Sequence, residues 1–255
     1  MVNSSSGHQV LPPKARKALQ ASGIRPLPEI ILRRRLPAGR GYGTSTADIG
    51  SVLFAAARFG GSSLDGFTAS QIAAGVEPTD SSLLPGLALF DHREAAFYEL
   101  LGEPPKISLI ILDSGGTVDS QAFNLHDWSA ALEKLKPIHQ EALGLLRQGV
   151  KESNIELIGQ ASTLSAVTHQ GILYSPWLET ALTLANKTGA AGICRAHSGT
   201  ILAIIYPSSS FDRISLLSFI RNHIPHGLRL RTAQMVSGGF WDGSKIPKES
   251  FKSEC

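Results

Sequence analysis

The chain has 255 residues, enough for one large domain or two smaller ones, and its 42% hydrophobic and 18% charged residues are typical of a globular protein. A net charge of +3 is too weak to indicate nucleic-acid binding, and 2 cysteines exclude a disulfide framework and fit a reducing compartment. No apolar run is long enough to span a bilayer, so we expect a cytoplasmic protein without membrane contact.

The first half of the chain is predicted to be mainly helical. A helix is expected from Pro13 to Ala21, because proline is favoured in a first helical turn and Gly23 follows as a stop signal. Alternating apolar residues over 29–35 predict a strand that leads into a glycine-rich loop. The other elements expected here are helices over 47–59 and from Thr68 to near Gly75, and strands over 87–90 and 95–100.

The second half alternates helices and strands. Pro104 and Pro105 interrupt the pattern and mark the expected domain boundary. The elements predicted after them are a strand over 108–112, helices over 126–148, 152–168 and 176–187, a strand before Arg195, a turn at Ser198-Gly199, a strand over 200–206, a helix over 211–222 and a strand over 228–235. This α+β order is compatible with a ferredoxin-like layer.

The glycine-rich loop is the strongest signal for a binding site. Gly39, Gly41 and Gly43 alternate and are followed by Thr44-Ser45-Thr46 and an apolar helical segment. Glycines let the main chain approach an anion closely, and the start of a helix presents unpaired N–H groups, so the pattern predicts a phosphate cradle. The spacing fits neither a Walker A loop nor a dinucleotide fingerprint. The alternative is a glycine-rich turn capped by Thr44 or Ser45.

Four further blocks accompany this loop, in a fixed order. They are Glu77-Pro78-Thr79-Asp80-Ser81, Phe90-Asp91-His92, Ala196-His197-Ser198-Gly199 and Val236-Ser237-Gly238-Gly239. With the loop motif Pro-x-Gly-x-Gly-x-Gly-Thr-Ser-Thr-Ala, they make residues 25–240 resemble the GHMP kinases, which phosphorylate small molecules, and in particular their threonine kinase branch. Four blocks in one order are far more specific than any one alone.

The resemblance implies a two-domain α+β fold. An N-terminal ATP-binding α/β domain is expected over 1–104, a ferredoxin-like C-terminal domain over 105–245 and a tail over 246–255. The family's first strands and first motif have no counterpart in this sequence, so the N-terminal domain is expected to be truncated.

The resemblance also assigns site residues. Asp80 is the expected catalytic base or the anchor of the acceptor hydroxyl, and Ser45 and Glu77 are the expected Mg²⁺ ligands. From the residues alone, an acid at position 80 is more typically solvated or caps a turn, and a surface acid is a nearly equal alternative for Glu77. The residues expected to bind ATP are Pro37, Gly39, Gly41, Gly43, Thr44, Ser45, Thr46, Ser198 and Gly199. His92 is expected either to position substrate or to be structural.

The function implied by the resemblance is ATP- and Mg²⁺-dependent phosphorylation of the hydroxyl of L-threonine, or of a similar amino alcohol, to give O-phospho-L-threonine for cobalamin biosynthesis. No nucleic-acid or membrane partner is expected. Two alternatives remain: a truncated, non-catalytic nucleotide-binding protein, and another activity of the family such as that of a homoserine kinase.

Overall fold

The computed structural model of the protein describes residues 11–25, 29–118, 123 and 125–240. Its chain divides into two compact units. The first holds residues 11–25, 29–37, 43–99 and 238–240, and the second holds 38–42, 100–118, 123 and 125–237. The division after residue 104 stays a prediction, and the tail expected over 246–255 lies outside the described residues.

The first unit is built around one buried helix. Its elements are α1 (Pro13–Ala21), α2 (Thr44–Phe59), α3 (Gly66–Ala74), a 3-10 turn (Ser81–Leu83), β1 (Leu87–Phe90) and the start of β2 (Tyr98–Gly102), which pairs with β1. The core is formed by Ile49, Val52 and Leu53 of α2, which pack with small residues such as Ala18 of α1 and Ala73 of α3. Alanines let the helices approach closely, and this packing buries the middle of α2.

Two helix boundaries in this unit differ from the prediction because of capping. Helix α2 starts at Thr44 rather than at 47, since Gly43 adopts a left-handed conformation and serves as its N-cap. Helix α3 starts at Gly66, because the Asp65 side chain accepts hydrogen bonds from the N–H groups of Phe67 and Thr68. The predicted ends of both helices agree with the structure to within a residue.

The strand predicted over 29–35 is wrong. The segment is irregular, and Ile31 exposes 67% of its surface. A strand needs a partner for its backbone N–H and C=O groups, and within the described ranges none pairs with this segment. The segment is held by a side chain instead, because Arg34 Nε donates to Asp48 Oδ2 over 2.7 Å.

The second unit is a four-stranded antiparallel sheet covered by helices. The four strands of the sheet are β3 (Ile107–Asp113), β4 (Gly192–Arg195), β5 (Leu202–Pro207) and β6 (Arg229–Gln234). The helices are α4 (Ser129–Lys151), α5 (Ile155–Thr168), α6 (Leu178–Thr188) and α7 (Arg213–Arg221), and the end of β2 also belongs to this unit. The strand order β4-β5-β3-β6, with helices between β3 and β4 and between β5 and β6, is that of a ferredoxin-like layer. The predicted α+β class is confirmed.

Apolar side chains from both layers form the core of this unit. Ile110 of β3, Ile193 of β4 and Ile204 of β5 are fully buried against Leu184 of α6 and Ile220 of α7. Burial of this apolar surface fixes the register of β3, whose last residue, Asp113, pairs with Arg229 of β6. In the described part of the chain, the helices lack the combination of length and apolarity needed to cross a bilayer.

Candidate active site

The start of α2 provides free backbone donors. Gly43, at φ 67°, is the N-cap, and among the described residues no side-chain hydrogen bond caps this end of the helix. The N-cap position is occupied by Gly43, so the alternative in which Thr44 or Ser45 caps the helix is wrong. The first N–H groups of α2 therefore point out of the helix end together with the positive end of its dipole, an arrangement suited to an anion.

Asp80 lies directly beside this helix end. A methyl group placed on Gly43 would lie 2.9 Å from Asp80 Oδ2, so the carboxylate occupies the space that only glycine leaves open. The other carboxylate oxygen, Oδ1, accepts a hydrogen bond of 3.0 Å from Ser82 N–H and caps the 3-10 turn. Asp80 therefore caps a turn, as the residues alone suggested, and its exposed side chain lies beside Gly43; its catalytic role stays a prediction.

Ser45 and Glu77 are brought together. The Ser45 hydroxyl donates a hydrogen bond to Glu77 Oε1, and Lys14 of α1 forms an ion pair with Glu77 Oε2. Glu77 is only 7% exposed, which argues against a solvated surface acid. Lys14 was not foreseen as a site residue, because its contact joins residues far apart in sequence and no local pattern signals it.

Two buried threonines hold the Asp80 segment against α2. Thr46 Oγ1 lies 2.8 Å from Thr79 Oγ1 and accepts a 3.3 Å hydrogen bond from Asp80 N–H. The hydroxyl of Thr46, expected to bind the nucleotide, is engaged in this support instead. Its backbone N–H stays in the first turn of α2.

The blocks around Phe90 and Val236 also support the Asp80 segment. Thr79 N–H donates to the carbonyl of His92 over 2.9 Å, so the His92 backbone has a structural role. Gly239 N–H donates to Ser82 O over 2.8 Å, and a methyl group at Gly238 would overlap Leu84 O. These glycines permit close backbone packing immediately after the acid.

The residues of the loop that belong to the second unit pack on its glycine turn. A methyl group at Gly41 would overlap the Ala196 side chain, and one at Gly199 would overlap Gly41 Cα. Arg40 O accepts hydrogen bonds from Thr200 N–H at 2.9 Å and Ile201 N–H at 3.2 Å. Gly41 and Gly199 are thus required by the contact of two backbones. Ser198 and Pro37 are half-buried.

Comparison with known proteins agrees with this architecture. Residues 12–84 match the GHMP kinases N terminal domain, and residues 146–216 match the GHMP kinases C terminal domain. The chain therefore belongs to the GHMP kinase family, and it is a kinase by the class of its domains.

Within the family, curated relatives include two L-threonine kinases. The enzyme of Salmonella typhimurium strain LT2 is 30% identical over 210 residues, which cover 82% of this chain and 70% of that protein. The enzyme of Citrobacter freundii is 29% identical over 212 residues, which cover 82% of this chain and 74% of that protein.

Solved structures share the fold. The Methanococcus jannaschii mevalonate kinase superposes with a TM-score of 0.61 at 16% identity, over 86% of this chain and 72% of that chain. The putative homoserine kinase of Listeria monocytogenes gives 0.59 at 17% identity, over 81% and 71%. At these identities the likeness concerns the fold alone.

Proposed function

We propose that this protein is an ATP-dependent kinase that phosphorylates the side-chain hydroxyl of L-threonine. The acceptor follows from the two L-threonine kinase relatives and from the blocks around Asp80 and His92. The observation that carries the proposal is the placement of the Asp80 carboxylate against Gly43, the N-cap residue of α2. We also assign the product, O-phospho-L-threonine, to cobalamin biosynthesis on the same resemblance.

The first N–H groups of α2 would hold the phosphates of ATP, since a helix N-terminus after a glycine loop favours bound anions. The threonine hydroxyl oxygen attacks the γ-phosphorus, the new O–P bond forms, and the bond to the ADP oxygen breaks. Asp80 Oδ2 takes the hydroxyl proton, while Oδ1 keeps its hydrogen bond to Ser82 N–H. That second contact holds one carboxylate oxygen at the 3-10 turn and leaves the other available to accept the proton.

Ser45 and Glu77 fit a magnesium ion. Mg²⁺ takes oxygen ligands, is held by one or two carboxylates plus substrate phosphates, and keeps several waters. One hydroxyl and one buried carboxylate meet that requirement, although no group of three or more His, Cys, Asp or Glu residues is found in the described part of the chain. When bound, the ion would neutralise charge on the β- and γ-phosphates. Lys14 pairs with Glu77 Oε2, so the ion would have to share this carboxylate with the ammonium group or displace it.

The proposal is tested by identifying the product. The purified protein is incubated with Mg-ATP and, separately, threonine, serine and homoserine, and phosphorylated products are quantified by mass spectrometry. We expect O-phosphothreonine as the main product. Preferential phosphorylation of homoserine would assign the other family activity, and ATP binding without any product would assign a non-catalytic nucleotide-binding protein.

A further inference from the structure

The carboxylate of Asp113 is completely enclosed at the end of β3. The residue is 0% exposed, although it is an acid at the end of a largely apolar strand. Its two oxygens accept four hydrogen bonds: Arg40 Nη1 donates to both, at 3.1 and 3.0 Å, Tyr42 Oη donates at 3.0 Å, and Gly115 N–H donates at 2.9 Å. A buried acid with this many donors is built for a specific contact.

Both side-chain partners of Asp113 come from the glycine loop. Arg40 and Tyr42 alternate with Gly39, Gly41 and Gly43, so both non-glycine residues between positions 39 and 43 are bonded to this one carboxylate. The backbone between them is fixed as well, because Gly39 O accepts from Val118 N–H over 2.9 Å. The glycines permit the backbone conformation of the loop, and the contacts of Arg40 and Tyr42 with Asp113 stabilise that conformation.

The Asp113 carboxylate stays ionised in spite of its burial. Burial alone would raise the pKa of Asp113, but the hydrogen bonds from Gly115, Arg40 and Tyr42 outweigh it and hold the pKa below its ordinary value. Burial and the neighbouring Asp113 charge raise the pKa of Tyr42 to about 12, so its hydroxyl remains a donor at neutral pH. The carboxylate is therefore ionised and fully used by its partners.

We infer that Asp113 is a positioning residue for ATP. Through Arg40 and Tyr42 it holds the glycine loop in its binding conformation before ATP arrives, so the nucleotide does not have to order the loop. This inference rests on the proposed kinase function. A flexible glycine-rich loop loses conformational entropy when a ligand orders it, and a preset loop has already lost it. Loss of the anchor is expected to weaken ATP binding and to leave acceptor binding largely unchanged.

The test compares Asp113→Asn, Arg40→Lys and Tyr42→Phe with Ser108→Ala. Ser108 is a matched control, since it is a buried polar residue of the same strand whose hydroxyl lies 2.9 Å from Ser208 Oγ, away from the loop. For each protein, KM for ATP, KM for threonine and kcat are measured, together with hydrogen exchange of peptides covering residues 38–42. Tyr42→Phe removes a single hydroxyl and serves if Asp113→Asn folds poorly.

We expect Asp113→Asn to raise KM for ATP by about tenfold, as for the loss of a hydrogen bond to a charged group, with KM for threonine within about twofold. Arg40→Lys should show part of the effect, since lysine keeps the positive charge but not the guanidinium group whose Nη1 contacts both Asp113 oxygens. Loop exchange should accelerate in these variants and not in Ser108→Ala. Unchanged KM for ATP and unchanged exchange in Asp113→Asn and Tyr42→Phe, or an equal change in Ser108→Ala, would overturn the inference.

The two failures are distinguishable. If the wild-type protein phosphorylates no acceptor, the proposed function fails, while calorimetric binding of Mg-ATP and loop exchange still report on the anchor. If the wild type is active and the variants keep its KM for ATP and its loop exchange, the kinase assignment stands and the positioning role of Asp113 is wrong.

Discussion

Replacing Gly43 with alanine tests whether the position of the Asp80 carboxylate matters for activity, apart from any effect on the stability of the fold. The added methyl group would lie 2.9 Å from Asp80 Oδ2, closer than a carbon and an oxygen can approach without moving. Because Asp80 is exposed, its Oδ2 can turn away from the methyl group while Oδ1 keeps its hydrogen bond to Ser82 N–H, so little stability is lost. Oδ2 would then no longer point at the start of α2.

Gly61 is a matched control for the backbone. Gly43 and Gly61 have φ angles of 67° and 70°, but a methyl group at Gly61 would have no atom of the described residues within 4 Å. A left-handed conformation costs a non-glycine residue roughly 1–2 kcal/mol. Both alanine variants should therefore lose about the same free energy of unfolding in denaturant titrations.

The activities of the two variants should differ. A displacement of about 1 Å in a catalytic group lowers turnover by about 10²-fold, so we expect this loss in Gly43→Ala and near-wild-type kcat in Gly61→Ala. The steady-state rate of phosphothreonine formation is the assay. Equal kcat values in the two variants, at equal stability, would refute the placement of Asp80 as a catalytic group.

Three further outcomes are expected. Glu77→Gln should raise the Mg²⁺ concentration for half-maximal activity by about tenfold, measured by metal titration, and an unchanged requirement would remove Glu77 from the metal site. The pKa of Asp113 lies below its ordinary value of 3.8, so its ionised form stabilises the fold above that pH, and this contribution is lost as the pH falls further. The free energy of unfolding should therefore fall less steeply with decreasing pH in Asp113→Asn than in the wild type, and equally steep falls in the two proteins would contradict this. Burial raises the pKa of the Cys194 thiol to about 11, so native protein should alkylate there only slowly at pH 8, as followed by peptide mass spectrometry, and rapid labelling would show an open site.

The sequence predicted the elements that depend on local signals. Helix α1 runs from Pro13 to Ala21 as expected, because a proline start and a following glycine are encoded within the element itself. The ferredoxin-like order also followed from the alternation of helices and strands after Pro105. The strand expected over 29–35 was wrong, since alternation cannot show whether a pairing partner exists.

The site was only partly predictable for the same reason. The glycine spacing and the blocks around Glu77 and Phe90 marked the segments that the structure joins through Thr79 and His92. The contacts of Lys14 with Glu77 and of Asp113 with Arg40 join residues distant in sequence. No spacing rule connects such residues, so they become visible only when the chain is folded.

The most direct test of the catalytic assignment is the turnover of Asp80→Asn, compared with Asp65→Asn. Both acids cap helical turns, and asparagine preserves a cap, so neither variant should lose stability. We predict that Asp80→Asn binds Mg-ATP as tightly as the wild type while kcat falls by about 10²- to 10⁴-fold, and that Asp65→Asn keeps full activity. Wild-type kcat in Asp80→Asn would contradict the account.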